Sequence, residues 1–442
     1  MQNVSAELSA APARRPVHPF LFTLLVLPKG MAFGYVEVML GYLLARAGVP
    51  VEQIAALAAA ALLPHVFKFL WAPLVDTTLT LKKWHGLSVG TGALVMAGMS
   101  LLPLNQGSLP LLTLGVYVLH TCISISGIAV PGLMAYDVPA ALQGRASGFY
   151  SIGYFCGKGV GGGLGLLLAQ RLAVPGLAGV VLGVVGLACI LPLRAFRDQP
   201  TTIHAERAMD TYRALGRDVW DTVRSRNGWL GLLVCLLPLG CATANSLWAA
   251  VASEWHAGAD TVALVTGLLA AGVTAAGCVV GGWVSDRVSP RYLYLATTVA
   301  SALSLVGMAY APRTEALFIG GTLLYALING LATASYVTFI LETIGKGAAT
   351  TKYALFVSVG NMPSYLMIFA LGYAHTHFGS VGMLNTEFVF AVGALVLYVV
   401  VQRVFVRDRL PGWRKQVAAP EPVPAVLVAG YGEALKDGVA RR

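Results

Sequence analysis

The sequence predicts an all-α membrane protein with twelve transmembrane helices in two pseudo-symmetric six-helix bundles. Three observations predict it. Of 442 residues, 57% are hydrophobic and only 11% are charged, whereas soluble domains carry about 25% charged residues. Twelve apolar runs follow one another along the chain, each about 20 residues, the length a helix needs to cross a bilayer. A single long polar segment, 194–228, divides them six and six.

Residues 1–19 form a polar N-terminal arm carrying Arg14 and Arg15. The first bundle, 20–193, holds runs at 20–44, 54–76, 86–104, 109–133, 146–169 and 172–193. The first run is too long, and wrongly flanked, for a cleaved signal peptide. The linker 194–228 is rich in arginine. The second bundle, 229–405, holds runs at 229–252, 262–284, 292–311, 316–341, 353–374 and 384–405. The tail 406–442 is rich in Pro, Ala and Val with scattered charge and is expected to be disordered. All six cysteines lie inside apolar runs with no CxxC pair, so neither a disulfide framework nor a metal site is expected. The HxH at His375 and His377 is too weak a signal for a metal.

Lysine and arginine fix the expected orientation. With both termini in the cytoplasm, cytoplasmic segments hold 24 of the 30 cations and outer segments three, Arg46, Arg171 and Arg313. That asymmetry follows the positive-inside rule. The remaining three, Lys29, Lys68 and Lys158, lie within spans.

The halves repeat one another. The second helix ends in VFKFLWAPLVD, with a Trp-Ala-Pro break at 71–73 and Asp76 before Lys82 and Lys83; the eighth ends in GGWVSDRVSPR, with Gly282, Asp286, Arg287 and Arg291. A second pair of corners follows the fourth and tenth helices: Asp137 with Arg145, and Glu342 with Lys352. Parallel six-helix repeats are the construction of rocking transporters.

The eighth-helix stretch from Gly282 to Arg291 resembles the cytoplasmic signature of the major facilitator superfamily. In the first-half copy Ala72 replaces the glycine and Thr77 the arginine. KFLWAPLVD at 68–76, PVHPFLF with PKGMAFG entering helix one, and ATTKYALFVSVGN at 349–361 resemble the AmpG-like permease branch. That branch includes muropeptide, acetyl-CoA and siderophore permeases. Muropeptide permeases usually carry paired aspartates on helix four, where this chain has Asp137 alone. The resemblance implies a multi-pass protein of the bacterial inner membrane.

Ionisable groups inside spans are costly and mark function by default. Lys29 and Glu37, eight residues apart on helix one, are expected near one face, with Lys29 attracting an anionic solute and Glu37 carrying the coupling proton. The alternative is a mutually neutralising structural pair. Lys68 and Lys158 are expected to join Lys29 in one pocket, although Lys68 also lies within snorkelling reach of the membrane surface. Asn245, Trp248, Tyr325, Asn329, Asn361 and Tyr365, together with Tyr336, suit the neutral part of a solute or, equally, contacts between helices. His120 is a second candidate for proton coupling, with His65 beside it in kind. Asp76, Asp137, Arg145, Asp286, Arg287, Arg291, Glu342 and Lys352 are expected to form a cytoplasmic gate.

The expected function is proton-coupled import of a small anionic or zwitterionic solute by alternating access. A muropeptide-like cell-wall fragment is the favoured solute and a siderophore the alternative. A non-transporting membrane sensor is the reading from another class. No nucleophile–base set suggests an enzyme. No cofactor is expected beyond the proton gradient, and the expected partners are the solute and the bilayer, with no nucleic acid and a monomeric chain.

Overall fold

A computed structural model describes residues 17–138, 143–196, 223–285, 287–344 and 349–403, with short pieces at 216–217 and 220–221. Most of the linker, residue Asp286 and the tail beyond 403 lie outside the described residues.

Twelve spans follow in order. In the first half they are α1 (Leu21–Arg46), α2 (Val51–Val66 continued by Lys68–Thr77), α3 (Leu81–Met99), α4 (Leu109–Asp137), α5 (143–171) and α6 (Leu177–Ala195). In the second they are α7 (Arg226–Leu236 and a broken continuation to Trp255), α8 (Ala259–Ser285), α9 (Pro290–Tyr310), α10 (Glu315–Ile344), α11 (349–378) and α12 (380–401). The last two run together except at Gly379, whose φ of 65° turns the chain back; glycine carries that left-handed backbone without a Cβ clash. Every predicted span is present. Below, the face of the bundle bearing both chain ends is the terminal side and its opposite the far side.

Two departures from the sequence reading concern where helices break. The second span opens at Phe67, next to Lys68, and Pro73 lies within the following helix. The seventh span, read as continuous over 229–252, is interrupted from Leu237 to Ala242, with Gly240 at φ 55° and Ala242 at φ 49°. A break in a span is tolerated where protein groups satisfy the freed backbone, and a group doing so is described below.

α1 and α5 pack at very close range. A Cβ on Gly34 would stand 2.1 Å from the Lys158 carbonyl oxygen, and one on Gly161 2.1 Å from that of Met31. Small residues permit such backbone approach inside a membrane, where packing rather than the hydrophobic effect joins helices. Both helices also contain a π-turn, at Tyr35–Leu40 and Val160–Leu164. Such bulges recur at functional sites.

The two halves meet firmly on the far side. α5 and α8 cross where a Cβ on Gly267 would come 2.3 Å from the Gly163 Cα, and α2 and α11 cross where one on Gly372 would come 2.5 Å from the Ala55 Cβ. Trp248, Trp255, Phe318 and Tyr325 form a fully buried aromatic cluster there, with Trp248 edge-on to Tyr325 at 5.8 Å and to Trp255 at 6.2 Å. Arg313 lies 4.0 Å over the Trp255 ring.

Candidate functional site

A central cavity lies between the halves, with about 180 Å³ open to water. Glu37 and Val38 of α1 and Tyr154, Phe155 and Lys158 of α5 wall it on one side. Asn245, Trp248, Thr274 and Asn329 wall it on the other, from α7, α8 and α10. The glycine packing of α1 on α5 brings Lys158 Nζ to 2.6 Å from Glu37 Oε2. The pair is mostly buried yet open to the cavity, at 23% and 14% side-chain exposure. An ion pair in this setting is held by low-dielectric attraction, and removing either partner strands a charge.

Glu37 therefore pairs with Lys158, not with Lys29 as its spacing suggested. Eight residues set Lys29 about 12 Å along α1 from Glu37, whereas the glycine packing of α1 on α5 sets Lys158 against it.

Lys29 and Lys68 meet elsewhere. Lys68 donates to the Gly127 carbonyl oxygen at 3.0 Å. Lys29 donates to the Tyr150 hydroxyl at 3.2 Å and faces the Tyr150 and Tyr154 rings at 5.6 and 5.4 Å. The expected single pocket of three lysines is thus two sites: Lys158 on the central cavity with Glu37, and Lys29 with Lys68 beside Gly127.

A second cavity of similar size adjoins the first toward the terminal side. Asn329 and Thr333 belong to both walls, and Cys235, Cys241, Tyr294, Tyr336, Asn361 and Ser364 complete it without a charge. Thr333 is exposed, so this combined space opens toward the terminal side, whereas the aromatic cluster closes the far side.

The solved structures that resemble this chain carry the same architecture. A POT family transporter in complex with 5-aminolevulinic acid matches over 90% of this chain and 98% of its own, with a TM-score of 0.69 at 8% identity. A D-xylose-proton symporter matches over 86% and 97%, with a TM-score of 0.65 at 13% identity. The fold is that of the major facilitator superfamily. No family model matches the sequence. The anhydromuropeptide permease of Escherichia coli K12 is 25% identical over 301 residues, 66% of this chain. The chain spans 61% of the length of the curated relatives it matches. That similarity agrees with the resemblance to the AmpG-like branch. These relatives and neighbours are permeases, symporters and transporters, not enzymes.

Within the facilitator fold the other predicted residues fall in several places. Asn245, Trp248 and Asn329 line the central cavity. Asn361 lines the second cavity and donates to the His65 carbonyl oxygen at 3.4 Å, linking α11 to the break in α2. Tyr365 packs edge-on to Phe369 at 5.3 Å. Tyr325 is fully buried and donates to a carboxylate, away from the cavity wall. His120 is fully buried, 3.5 Å from His65 ring to ring nitrogen, with Phe33 packed on both imidazoles. It is absent from the cavity wall, so its place differs from that of Glu37.

Of the expected gate, only Asp137, Arg287 and Arg291 have described side chains. Arg287 stays on its own helix, donating to the Trp283 carbonyl at 2.9 Å and stacking 3.7 Å over that ring. Arg291 lies 5.8 Å over Phe339 of α10. Asp137 is half-buried at the end of α4 and has a partner. Asp286 and the side chains of Asp76, Arg145, Glu342 and Lys352 lie outside the described residues.

One residue escaped the sequence reading. Glu387 of α12 is 5% exposed and accepts three hydrogen bonds, from the Thr243 and Ala244 backbone N–H groups at 3.0 Å each and from the Tyr325 hydroxyl at 2.6 Å. It caps the short helix Thr243–Ser246 that follows the break in α7, and so sets the position of Asn245 and Trp248. The available signal was the same one that marked Glu37: an acid inside a span.

Proposed function

We propose that this chain is a proton-coupled secondary transporter that imports a small anionic or zwitterionic solute by alternating access. One observation carries the reading: the Lys158–Glu37 ion pair at 2.6 Å in the wall of the central cavity. With Glu37 ionised, Lys158 is neutralised by its neighbour and holds no solute. Protonation of Glu37 removes that competitor and frees an ammonium, with three donors, for an anionic group entering the cavity. Proton loss re-forms the pair and expels the solute. Solute and proton thus bind together, which is the requirement for symport. Asn245, Trp248 and Asn329 supply hydrogen bonds and a stacking face for the neutral part of the solute.

The solute favoured is a muropeptide-like cell-wall fragment, by similarity to the anhydromuropeptide permease. The 24-to-3 distribution of cations supports termini in the cytoplasm and thus a cavity open inward. The bacterial inner membrane is the corresponding location.

The test is uptake by the full chain in sealed vesicles. An anhydromuropeptide is expected to accumulate when the outside is acidified, and Glu37→Gln to abolish that response. Accumulation of a ferric siderophore in its place would select the alternative solute. Binding of either without accumulation would replace transport by sensing.

A further inference from the structure

The Lys29–Lys68 site is a second centre of charge that the coupling pair does not use. α1, α2, α4 and α5 converge on it. A Cβ on Gly127 would stand 3.6 Å from Lys29 Nζ and 3.7 Å from Lys68 Nζ, so both ammonium groups flank one bare position of α4. Each has three N–H donors. Lys68 gives one to the Gly127 carbonyl and Lys29 one to the Tyr150 hydroxyl. Among the described residues no carboxylate is in ion-pair distance of either, and the nearest acid on α1, Glu37, is engaged by Lys158.

Two like charges side by side within spans repel each other and lack the hydration that water would supply. The aromatic faces of Tyr150 and Tyr154 offset part of that on one side only. Both lysines are only partly buried, so their remaining donors are within reach of a ligand. Tyr353 of α11 is an electrostatic neighbour of both Lys29 and Tyr150, which puts the second half of the chain across from the site. Along α1, Lys29 lies eight residues from Glu37, about 12 Å at 1.5 Å per residue.

We propose that Lys29, Lys68 and the bare backbone at Gly127 seat a doubly charged oxyanion group of the solute, either a phosphate-type group or a pair of carboxylates. The inference rests on the transport reading for its solute and deepens it. The solute is extended, with a dianionic head at Gly127 and a body reaching about 12 Å, the helical distance to Glu37. Two donors on each lysine match the oxygens of a dianion, whereas a monoanion leaves one ammonium without a counter-charge.

The test is binding to the purified full chain in detergent at constant ionic strength, read as protection against thermal unfolding. The probes are inorganic phosphate, succinate and acetate. Phosphate or succinate is expected to protect at concentrations at least tenfold below acetate. The stronger of the two identifies the head group as phosphate-type or dicarboxylate. Lys29→Ala and Lys68→Ala are each expected to weaken protection at least tenfold. Lys83→Ala, which removes an exposed cation elsewhere, should leave it within twofold. Should a lysine variant fail to fold, Gly127→Ala decides: its added methyl makes only ordinary contacts at 3.6 and 3.7 Å yet fills the seat, so it should fold and lose protection. Equal protection by acetate, or dianion protection unchanged in Gly127→Ala, overturns the proposal. Protection by dianions with no proton-driven uptake would sink the transport reading and leave this site standing.

Discussion

Tyr325 donates a 2.6 Å hydrogen bond to Glu387, and the same carboxylate holds two backbone amides at the break in α7. Three elements, α7, α10 and α12, are therefore fastened at one buried group. All three donors would be stranded if it were removed, and a stranded buried donor costs about 1–3 kcal/mol. Glu387→Ala is expected to lower the unfolding midpoint strongly and abolish uptake. Glu387→Gln retains one acceptor oxygen but turns an amide N–H₂ toward a donor, so its loss should be intermediate. Unfolding midpoints of the two variants in detergent check the order.

The Lys158–Glu37 pair predicts non-additivity. Breaking one side of a buried ion pair costs about 3–5 kcal/mol, whereas replacing both sides with apolar groups is often close to neutral. Lys158→Met and Glu37→Leu should each destabilise the protein, and the double variant should be more stable than either while remaining inactive. Unfolding midpoints and uptake of the four proteins measure this. A double variant less stable than both singles would contradict the pairing.

Both the fold and part of the site were legible in the sequence because a bilayer imposes strict accounting on length and charge. The span lengths of α1 through α12 followed from apolar runs, and Lys29, Glu37, Lys68 and Lys158 from charge in the wrong solvent. Partnerships were not legible. Glu37 meets Lys158 because α1 packs closely on α5, and which helix a span packs against is not written in its own apolar pattern. The break in α7 had a visible cue in Pro238 and Gly240, but the run around it is so apolar that it read as one helix. Glu387 was not singled out, because its role depends on an α7 backbone 143 and 144 positions away.

The far-side crossing of α5 and α8 has no room for side chains. A Cβ at Gly267 would meet the Gly163 backbone at 2.3 Å, and one at Gly163 would meet the Ala263 carbonyl oxygen at 2.6 Å. Gly267→Val is expected to force the halves apart on that side while leaving membrane insertion intact. Uptake should fall at least tenfold, because the proposed alternating access needs that closure. Labelling of a cysteine placed near Thr266 from the far side should rise in the same variant.

Glu254, at the far-side end of α7, supplies a pH dependence. Burial acts to raise its carboxyl, but hydrogen bonds from His375 and Ser380 outweigh it and hold the group below its ordinary value of 4.5. A depressed carboxyl stabilises the fold above the unfolded-state value, and that contribution is lost as pH falls through the folded-state value. The gap in unfolding midpoint between the native chain and Glu254→Gln should therefore be full at pH 7 and begin to close below about pH 4.5. A gap independent of pH would detach Glu254 from this turn.

The contact between Gly163 and Gly267 is one of bare backbone, and Gly372 meets Ala55 in the same manner. Parting such surfaces ruptures few directional bonds; it mainly wets small apolar ones. The balance between the two faces of the molecule should then answer to agents that change the cost of hydrating nonpolar surface, such as sucrose or cooling, more readily than to added salt.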